Sequence, residues 1–367
     1  MALERIVVQE LSYSPILDWH LIEQWADGIP VRSENDPKNP EWRPTPVIPL
    51  ELSAEGYGLI YVKNEADPAS NPTQTIKDRA AWELTTLFRD YARGLYLQKK
   101  AGLLDENISS LCIPHLSLIT AGNVGRAISP FFQKYGLPPM KLLVDVHIPL
   151  SRLDLLKQLY ADIYQVDLNE KLLTAQEIKM ITHNENGVDI TSVHVLEPHA
   201  IFYDWHVHEV FNESPHQIFV PYGSGRLLEN YLTWQQRTIR NDTVGRKDPR
   251  LQVPAGKVIS IDVFGVEPEQ QDSCADKLTK NFNPFTIFDD QDISTLTSFS
   301  FTGKQTGVYK VKEKYIVEAQ RILLDHSIMA EFSAAAGLAL YLQLTDEQKI
   351  NPRDGKKRLI VNTGKGI

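Results

Sequence analysis

The segment Leu116-Ser117-Leu118-Ile119-Thr120-Ala121-Gly122-Asn123-Val124-Gly125 passes from a short apolar run into a turn of small residues, and an apolar helix pattern follows it to about Tyr135. Four residues are too few for a helix, and the small residues after them let the chain bend. The segment reads as a buried strand that feeds a helix. The same alternation recurs along the chain, with strand-like runs at Lys141 to Val146, Ile163 to Val166, Gln217 to Pro221, Val258 to Val263 and Leu359 to Asn362. Buried strands separated by amphipathic segments build a parallel sheet covered by helices. The clearest helix runs from Asp78 to Gln98, where Ala81, Leu84, Phe88, Tyr91 and Leu95 recur at intervals of three and four and form one apolar stripe. Asp78 near its start suits the positive end of the helix dipole. The fold class expected is α/β.

Residues 28–46 carry Pro30, Pro37, Pro40, Pro44 and Pro46 and read as extended or turning chain. Residues 237–256 are polar and charged, as in an exposed excursion between a helix and the next strand. No internal repeat is evident. The 367 residues suffice for two domains or one large one. Their 38 Lys and Arg against 47 Asp and Glu leave a formal charge of −9, which argues against a nucleic-acid binder, because phosphate neutralisation needs a basic face. Lys99-Lys100 and Lys356-Lys357-Arg358 read as solvated surface. Glu4, Arg5, Glu10 and Asp18 interrupt any apolar run long enough for a signal peptide or membrane span. Only Cys112 and Cys274 are present, without the paired spacing of a zinc site, and a reducing compartment is the simpler inference. A cytoplasmic protein is expected.

Three segments at the ends of expected strands carry the chemistry, since ligands bind at that edge of open α/β sheets. The first, Asn71-Pro72-Thr73-Gln74-Thr75-Ile76-Lys77-Asp78-Arg79, follows the strand-like run Leu59 to Lys63. A lysine between a polar turn and a helix start is placed to be partly desolvated, and so to act as a nucleophile or Schiff-base former; taken alone, a surface lysine is the commoner case. The second is Thr120 to Gly125, whose small residues let a ligand approach the backbone while the helix start offers N–H groups to a carboxylate. A tight turn that merely needs glycine is the plainer alternative. The third, Gly223-Ser224-Gly225-Arg226-Leu227-Leu228, reads as an anion cup of N–H groups and a hydroxyl. A dinucleotide fingerprint competes with it, but Leu228 stands in the place of the third glycine, and Asp242 lies in a polar loop rather than at a strand end.

Together the three segments, in this order, resemble the fold-type II pyridoxal-phosphate enzymes, the superfamily of tryptophan synthase beta, threonine synthase, cysteine synthase and serine/threonine dehydratase. The likeness is greatest to threonine synthase, whose Lys-Asn-Glu and Asn-Pro-Thr-Gly-Ser-Phe-Lys-Asp-Arg pattern is similar to Lys63-Asn64-Glu65 and residues 71–79. Thr45-Pro46, Gly265-Val266-Glu267-Pro268, Glu331-Phe332-Ser333-Ala334-Ala335 and Val361-Asn362-Thr363-Gly364-Lys365-Gly366 extend the resemblance over most of the chain. It implies two open, mostly parallel sheets covered by helices, with a cofactor cleft between a large domain (1–75 and 205–367) and a small domain (76–204). It implies pyridoxal 5'-phosphate as cofactor, a small amino acid as substrate, elimination or replacement at Cβ or Cγ, a homodimer, and no nucleic-acid or membrane partner. Lys77 would hold the cofactor as a Schiff base and move protons at the substrate carbons. Asn123 would meet the cofactor's ring hydroxyl, and Thr120, Ala121, Gly122 and Asn123 the substrate carboxylate. Gly223, Ser224 and Gly225 would cradle the phosphate, and the Thr363 hydroxyl would meet the pyridine nitrogen.

The chain departs from that pattern at Gln74 and Thr75, which replace Gly and Ser, at Ala121 and Val124, which replace hydroxyl residues, and at Arg226, where the family has glycine. Phe202 to His208 also lacks the family's glycine-led helix. These departures motivate the alternative of a catalytically inactive homologue with a regulatory or interaction role; a nucleotide-dependent oxidoreductase would instead need NAD binding that survives loss of Lys77. His206 and His208, with His194 and His199 upstream, invite a metal reading. Two histidines at i and i+2 share a face only on a strand, and this stretch reads as helical through Phe211, so no metal is expected. Trp205, Phe202 and Val207 read as core or interface, and Cys112 as a buried structural thiol.

Overall fold

The structure is a computed structural model describing residues 4–12, 19–27, 44–104, 114–171, 173–190, 203–234, 261–279 and 303–366. They fall into two compact units, the first within Met1–Arg32 and Lys77–Phe202, the second within Ser33–Ile76 and Tyr203–Gly366. His194, His199, Phe202, Cys112, the 237–256 excursion and most of the proline-rich stretch lie outside the described residues.

The first unit holds a five-stranded sheet in the order β1-β6-β5-β4-β7, with β1 Ile6–Gln9, β4 Leu116–Ile119, β5 Met140–Asp145, β6 Ala161–Val166 and β7 Val188–Asp189. The strands β4 to β7 run parallel, and β1 is antiparallel to β6. Helices α1 (Trp19–Ala26), α2 (Lys77–Lys100), α3 (Asn123–Lys134), α4 (Leu150–Leu156) and α5 (Ala175–Ile181) belong to this unit. Ile22, Ala26, Ala81, Leu84, Ala92, Ala127, Phe132 and Leu142 share its main core. The N-terminal segment, which the sequence reading assigns to the large domain, packs here instead. Its strand pairs with β6, the Leu11 N–H donates to Asp162 Oδ1 at 2.7 Å, and α1 enters the α2–α3 core. The stripe of α2 also differs: Ala81 and Leu84 are buried, but Tyr91 is exposed and Ala92 takes its place. A 3.6-residue period allows a step of three or four from Phe88, and tertiary packing selects four.

The second unit holds a six-stranded sheet in the order β10-β9-β8-β11-β3-β2. Its strands are β2 Val47–Leu52, β3 Gly58–Asn64, β8 Gln217–Pro221, β9 Asp262–Pro268, β10 Gly307–Val311 and β11 Arg358–Asn362, all parallel except β2. Helices α6 (Asp204–Asn212), α7 (226–234), α8 (Glu313–Asp325) and α9 (Phe332–Asp346) complete it. The α9 sequence is apolar on every side, as suits a helix enclosed by its neighbours. A Cβ added to Gly337 would lie 2.8 Å from the Phe219 carbonyl oxygen, so the small residues of α9 allow close approach to β8. Phe219 stacks on Phe264 with ring centroids 4.5 Å apart, and burial of each such ring contributes about 1.5–3 kcal/mol. Arg358, expected at the surface, is buried at the start of β11. Its guanidinium donates to Gln217 Oε1 at 2.9 Å, the Asn351 carbonyl at 3.0 Å and Asp354 Oδ1 at 2.7 Å, partners that replace water. No helix among the described residues is long and apolar enough to cross a membrane.

Candidate active site

In the second unit the carboxyl ends of the parallel strands gather three loops. The chain leaves β3 through Glu65 and crosses a loop to Lys77, the first residue of α2. That loop is tied to the turn after β11. The Glu65 N–H donates to the Asn362 carbonyl, the Ile76 N–H to the Thr363 carbonyl at 2.9 Å, and the Lys365 N–H to the Gln74 carbonyl at 3.1 Å, while Thr75 and Gly364 form an antiparallel bridge. Backbone pairing therefore fixes the peptide that precedes Lys77 beside Thr363. Gly364 makes the approach possible: its φ is 134°, and a Cβ there would lie 2.5 Å from the Gln74 carbonyl oxygen and 2.6 Å from Thr75 Cα. The buried Asn362 side chain braces the turn, donating to Asn64 Oδ1 and to the Met329 carbonyl, both at 2.9 Å, and accepting from the Gly364 N–H at 3.2 Å. Lys77 itself is half-buried.

After β8, Gly223, Ser224 and Gly225 form a bend that leads directly into α7. Gly225 has φ 82°, a region open to glycine, and its carbonyl accepts the first helical bond from the Glu229 N–H at 2.9 Å. N–H groups at this helix start point toward the bend, the arrangement that binds a phosphate. Arg226 forms an ion pair with Glu229 one turn further along, Nη1 to Oε2 at 3.8 Å, which engages the cation within its own helix.

In the first unit, β4 ends at the predicted turn. Thr120 Oγ1 accepts from the Gly122 N–H at 2.9 Å, and Gly122, with φ 124°, caps α3 without a side-chain bond. Asn123 begins the helix, and its Oδ1 is buried without a hydrogen-bond partner among the described residues. A buried amide oxygen is costly to leave unpaired, so this atom suits a donor supplied by a ligand.

Within the second unit the structure thus pairs the peptide that precedes Lys77 with the Thr363 turn and sets the 223–225 bend at the end of the neighbouring strand β8, and within the first unit it places Thr120 to Asn123 at the carboxyl end of β4. It also shows residues that sequence reasoning missed. Asn71 Nδ2 donates to the Glu65 carbonyl at 2.7 Å and to Glu65 Oε2 at 2.8 Å, bracing the lysine loop from within. Both rings of the suspected metal pair are engaged otherwise: His206 with Glu65 and Tyr231, and His208 Nε2 with Asn212 Nδ2 at 3.0 Å. The carboxylate beside Lys63-Asn64 and the helical histidine were the available signals, yet neither names its partner. Asp145, His147 and Asp167 cluster in the first unit, where Asp145 oxygens accept from the His147 and Leu168 N–H groups and close turns after β5 and β6. Burial, aided by the hydrogen bond that the thiol donates to the Glu313 carboxylate, pushes the Cys274 thiol up to about 12, so it is a poor nucleophile.

A family profile described as "Pyridoxal-phosphate dependent enzyme" matches residues 38–364. No curated protein matches the chain by sequence. Among solved structures, a pyridoxal 5'-phosphate-dependent aspartate racemase is similar at 16% identity and a TM-score of 0.58, covering 98% of each chain. Diaminopropionate ammonia lyase from Escherichia coli is similar at 14% identity and a TM-score of 0.56, covering 99% of this chain and 94% of its own. Threonine deaminase isoform 2 from Solanum lycopersicum is similar at 15% identity and a TM-score of 0.54, covering 100% of this chain and 94% of its own. At such identities these likenesses establish the fold. The cofactor is pyridoxal 5'-phosphate, and residues of each unit are of the kind that fits it: in the first unit a buried acceptor at Asn123, in the second a glycine-led helix start at 223–225 and a Thr363 turn paired with the peptide that precedes Lys77.

Proposed function

We propose that this chain, which belongs to the pyridoxal-phosphate dependent enzyme family, acts on a small L-amino acid by elimination or replacement at Cβ or Cγ, in the manner of threonine synthase. The observation that supports the reading is the backbone pairing that joins the loop before Lys77 to the Thr363 turn, two segments from distant parts of the sequence that both carry residues of the family pattern. Bound pyridoxal phosphate supplies an electron sink that eases negative charge at the substrate Cα. Lys77 holds the cofactor, and its amine then takes the proton from Cα and returns one at the adjacent carbons. Asn123 bonds the ring hydroxyl. The turn Thr120, Ala121, Gly122 and Asn123 binds the substrate carboxylate through N–H groups at the start of α3. Gly223, Ser224 and Gly225 hold the phosphate at the start of α7. Thr363 offers the pyridine nitrogen a partner without formal charge, so the ring is less readily protonated than beside an Asp, which favours elimination and replacement over transamination.

The test is the visible spectrum of the purified protein while O-phosphohomoserine, serine, threonine and O-acetylserine are added in turn. The expected result is a visible band that borohydride traps on Lys77, with at least one of the four amino acids shifting the band and yielding product. A protein without a borohydride-sensitive band, or with a band that survives Lys77→Ala, rejects the reading. A band with no product from any of the four favours a regulatory homologue, the reading that the departures at Gln74, Thr75, Ala121, Val124 and Arg226 motivate.

A further inference from the structure

One buried group of the second unit has no part in the roles assigned above. Glu65, His206 and Tyr231 are each 0% exposed. His206 Nδ1 lies 2.7 Å from Glu65 Oε1, and its Nε2 lies 2.7 Å from the Tyr231 hydroxyl. The Tyr231 ring meets the imidazole edge-on, with centroids 5.7 Å apart. Glu65 also accepts from Thr45 Oγ1 at 2.7 Å on Oε1 and from Asn71 Nδ2 at 2.8 Å on Oε2. Both ring nitrogens of His206 are thus engaged, one with Glu65 and the other with the Tyr231 hydroxyl. A second link docks the same helix: Glu209, one turn beyond His206, accepts from Lys63 Nζ at 2.6 Å, and Lys63 Nζ also donates to the Thr45 carbonyl at 2.7 Å.

The three residues stand on three different pieces of the cofactor edge. Glu65 opens the loop that ends at Lys77, and Asn71 lies in the middle of that loop. His206 is on α6. Tyr231 is on α7, whose amino end is the phosphate bend 223–225. Plain core filling does not account for the choice of residues, because apolar side chains of similar volume would fill the space without removing a carboxylate from water. A buried hydrogen-bonded network favours one arrangement of its members and penalises others, so it holds the pieces it spans in register.

We propose that His206 is a positioning residue which, through Glu65 and Tyr231, couples the lysine loop to the phosphate bend, so that the two segments holding opposite ends of the cofactor move as one. The inference rests on the cofactor roles proposed above for Lys77 and for residues 223–225. The decisive variant is Tyr231→Phe, which removes one hydroxyl at the phosphate end and leaves the lysine loop untouched. The reading is taken at the other end, as amide exchange across residues 66–76 in the protein as purified. Loss of the bond should speed exchange about five- to tenfold at the Asn71, Gln74 and Ile76 amides, which donate to the Asp67, Asn71 and Thr363 carbonyls. The dissociation constant for pyridoxal phosphate should rise by a similar factor. His206→Asn keeps a donor at the Nδ1 position and deletes the Nε2 end, so it should match Tyr231→Phe, and the double variant should be no worse than either, because both cut one bond. A merely structural role would leave cofactor affinity and residues 66–76 unchanged while exchange rises only within 226–234, and that result overturns the proposal. A wild-type protein that shows no cofactor band would reject the function proposed above, while the exchange comparison would still decide the coupling.

Discussion

The turn after β11 and the turn after β4 both end a buried parallel strand, but their own chain satisfies them to different degrees. In the second unit, Asn362 makes three side-chain hydrogen bonds, and the 363–365 backbone is paired with the chain before Lys77. In the first unit, the 120–123 turn has one short internal bond from the Gly122 N–H to Thr120 Oγ1, and the Asn123 amide oxygen is left without a partner among the described residues. The difference separates two tasks. On the roles proposed above, the peptide that leads to the cofactor lysine is held by backbone pairing, which costs no reorganisation when the ligand arrives. On the same roles, the Asn123 oxygen is the acceptor left for the ligand.

Breaking the paired turn should have the largest effect. Gly364→Ala combines an unfavourable φ with a Cβ driven against the backbone of Gln74 and Thr75. It should destabilise the protein by about 3 kcal/mol or more in urea unfolding. A loss under about 1 kcal/mol would show that the pairing beside Lys77 is soft, and the contrast would fail.

A smaller effect tests how the first unit secures its surface helices, which rely on local bonds. Thr174 Oγ1 accepts from the Glu177 N–H at 3.2 Å and the Glu177 carboxylate accepts from the Thr174 N–H at 2.8 Å, a capping box at the start of α5. The Lys171 ammonium, helped by the Thr174 bonds, lowers the Glu177 carboxyl to about 2. A carboxyl depressed on folding contributes stability that is complete above its unfolded value and is lost as pH falls through its folded one. The thermal advantage of the wild type over Glu177→Gln should therefore hold from neutral pH down to about 4.5, then shrink toward pH 2, and it should weaken in high salt. An advantage that does not change with pH in that range would remove the charge from the account.

Asn123→Ala should have the least effect on the free protein, within about 0.5 kcal/mol, because its amide oxygen makes no hydrogen bond among the described residues. Its cost should appear in pyridoxal phosphate affinity. A stability loss above about 1 kcal/mol would mean that the chain itself uses this side chain, and the contrast between the two turns would collapse.

Much of this was legible beforehand because it is local. The runs at Leu116 to Ile119 and Gln217 to Pro221 are strands with the expected bounds, and the Asp78 to Gln98 pattern is a helix from Lys77 to Lys100. Where long-range packing decides, reading fell short. Arg358 looks like surface charge until Gln217, Asn351 and Asp354 surround it. Ile6 to Gln9 gives no sign that its partner is β6. His206 drew notice as a possible ligand, whereas its two ring nitrogens serve Glu65 and Tyr231.

Hydropathy alternation and turn chemistry operate over a few residues, so the sequence alone determined an α/β chain, the positions of its small-residue turns, and the motifs that carry the family likeness. The tertiary structure alone decided that the Ile76 N–H meets the Thr363 carbonyl, that the N-terminal strand joins the first sheet, and that a buried carboxylate, imidazole and phenol link three segments of the second unit. Such pairings join residues far apart in the chain, and their partners are selected by the packing of whole sheets and helices, which no local pattern encodes.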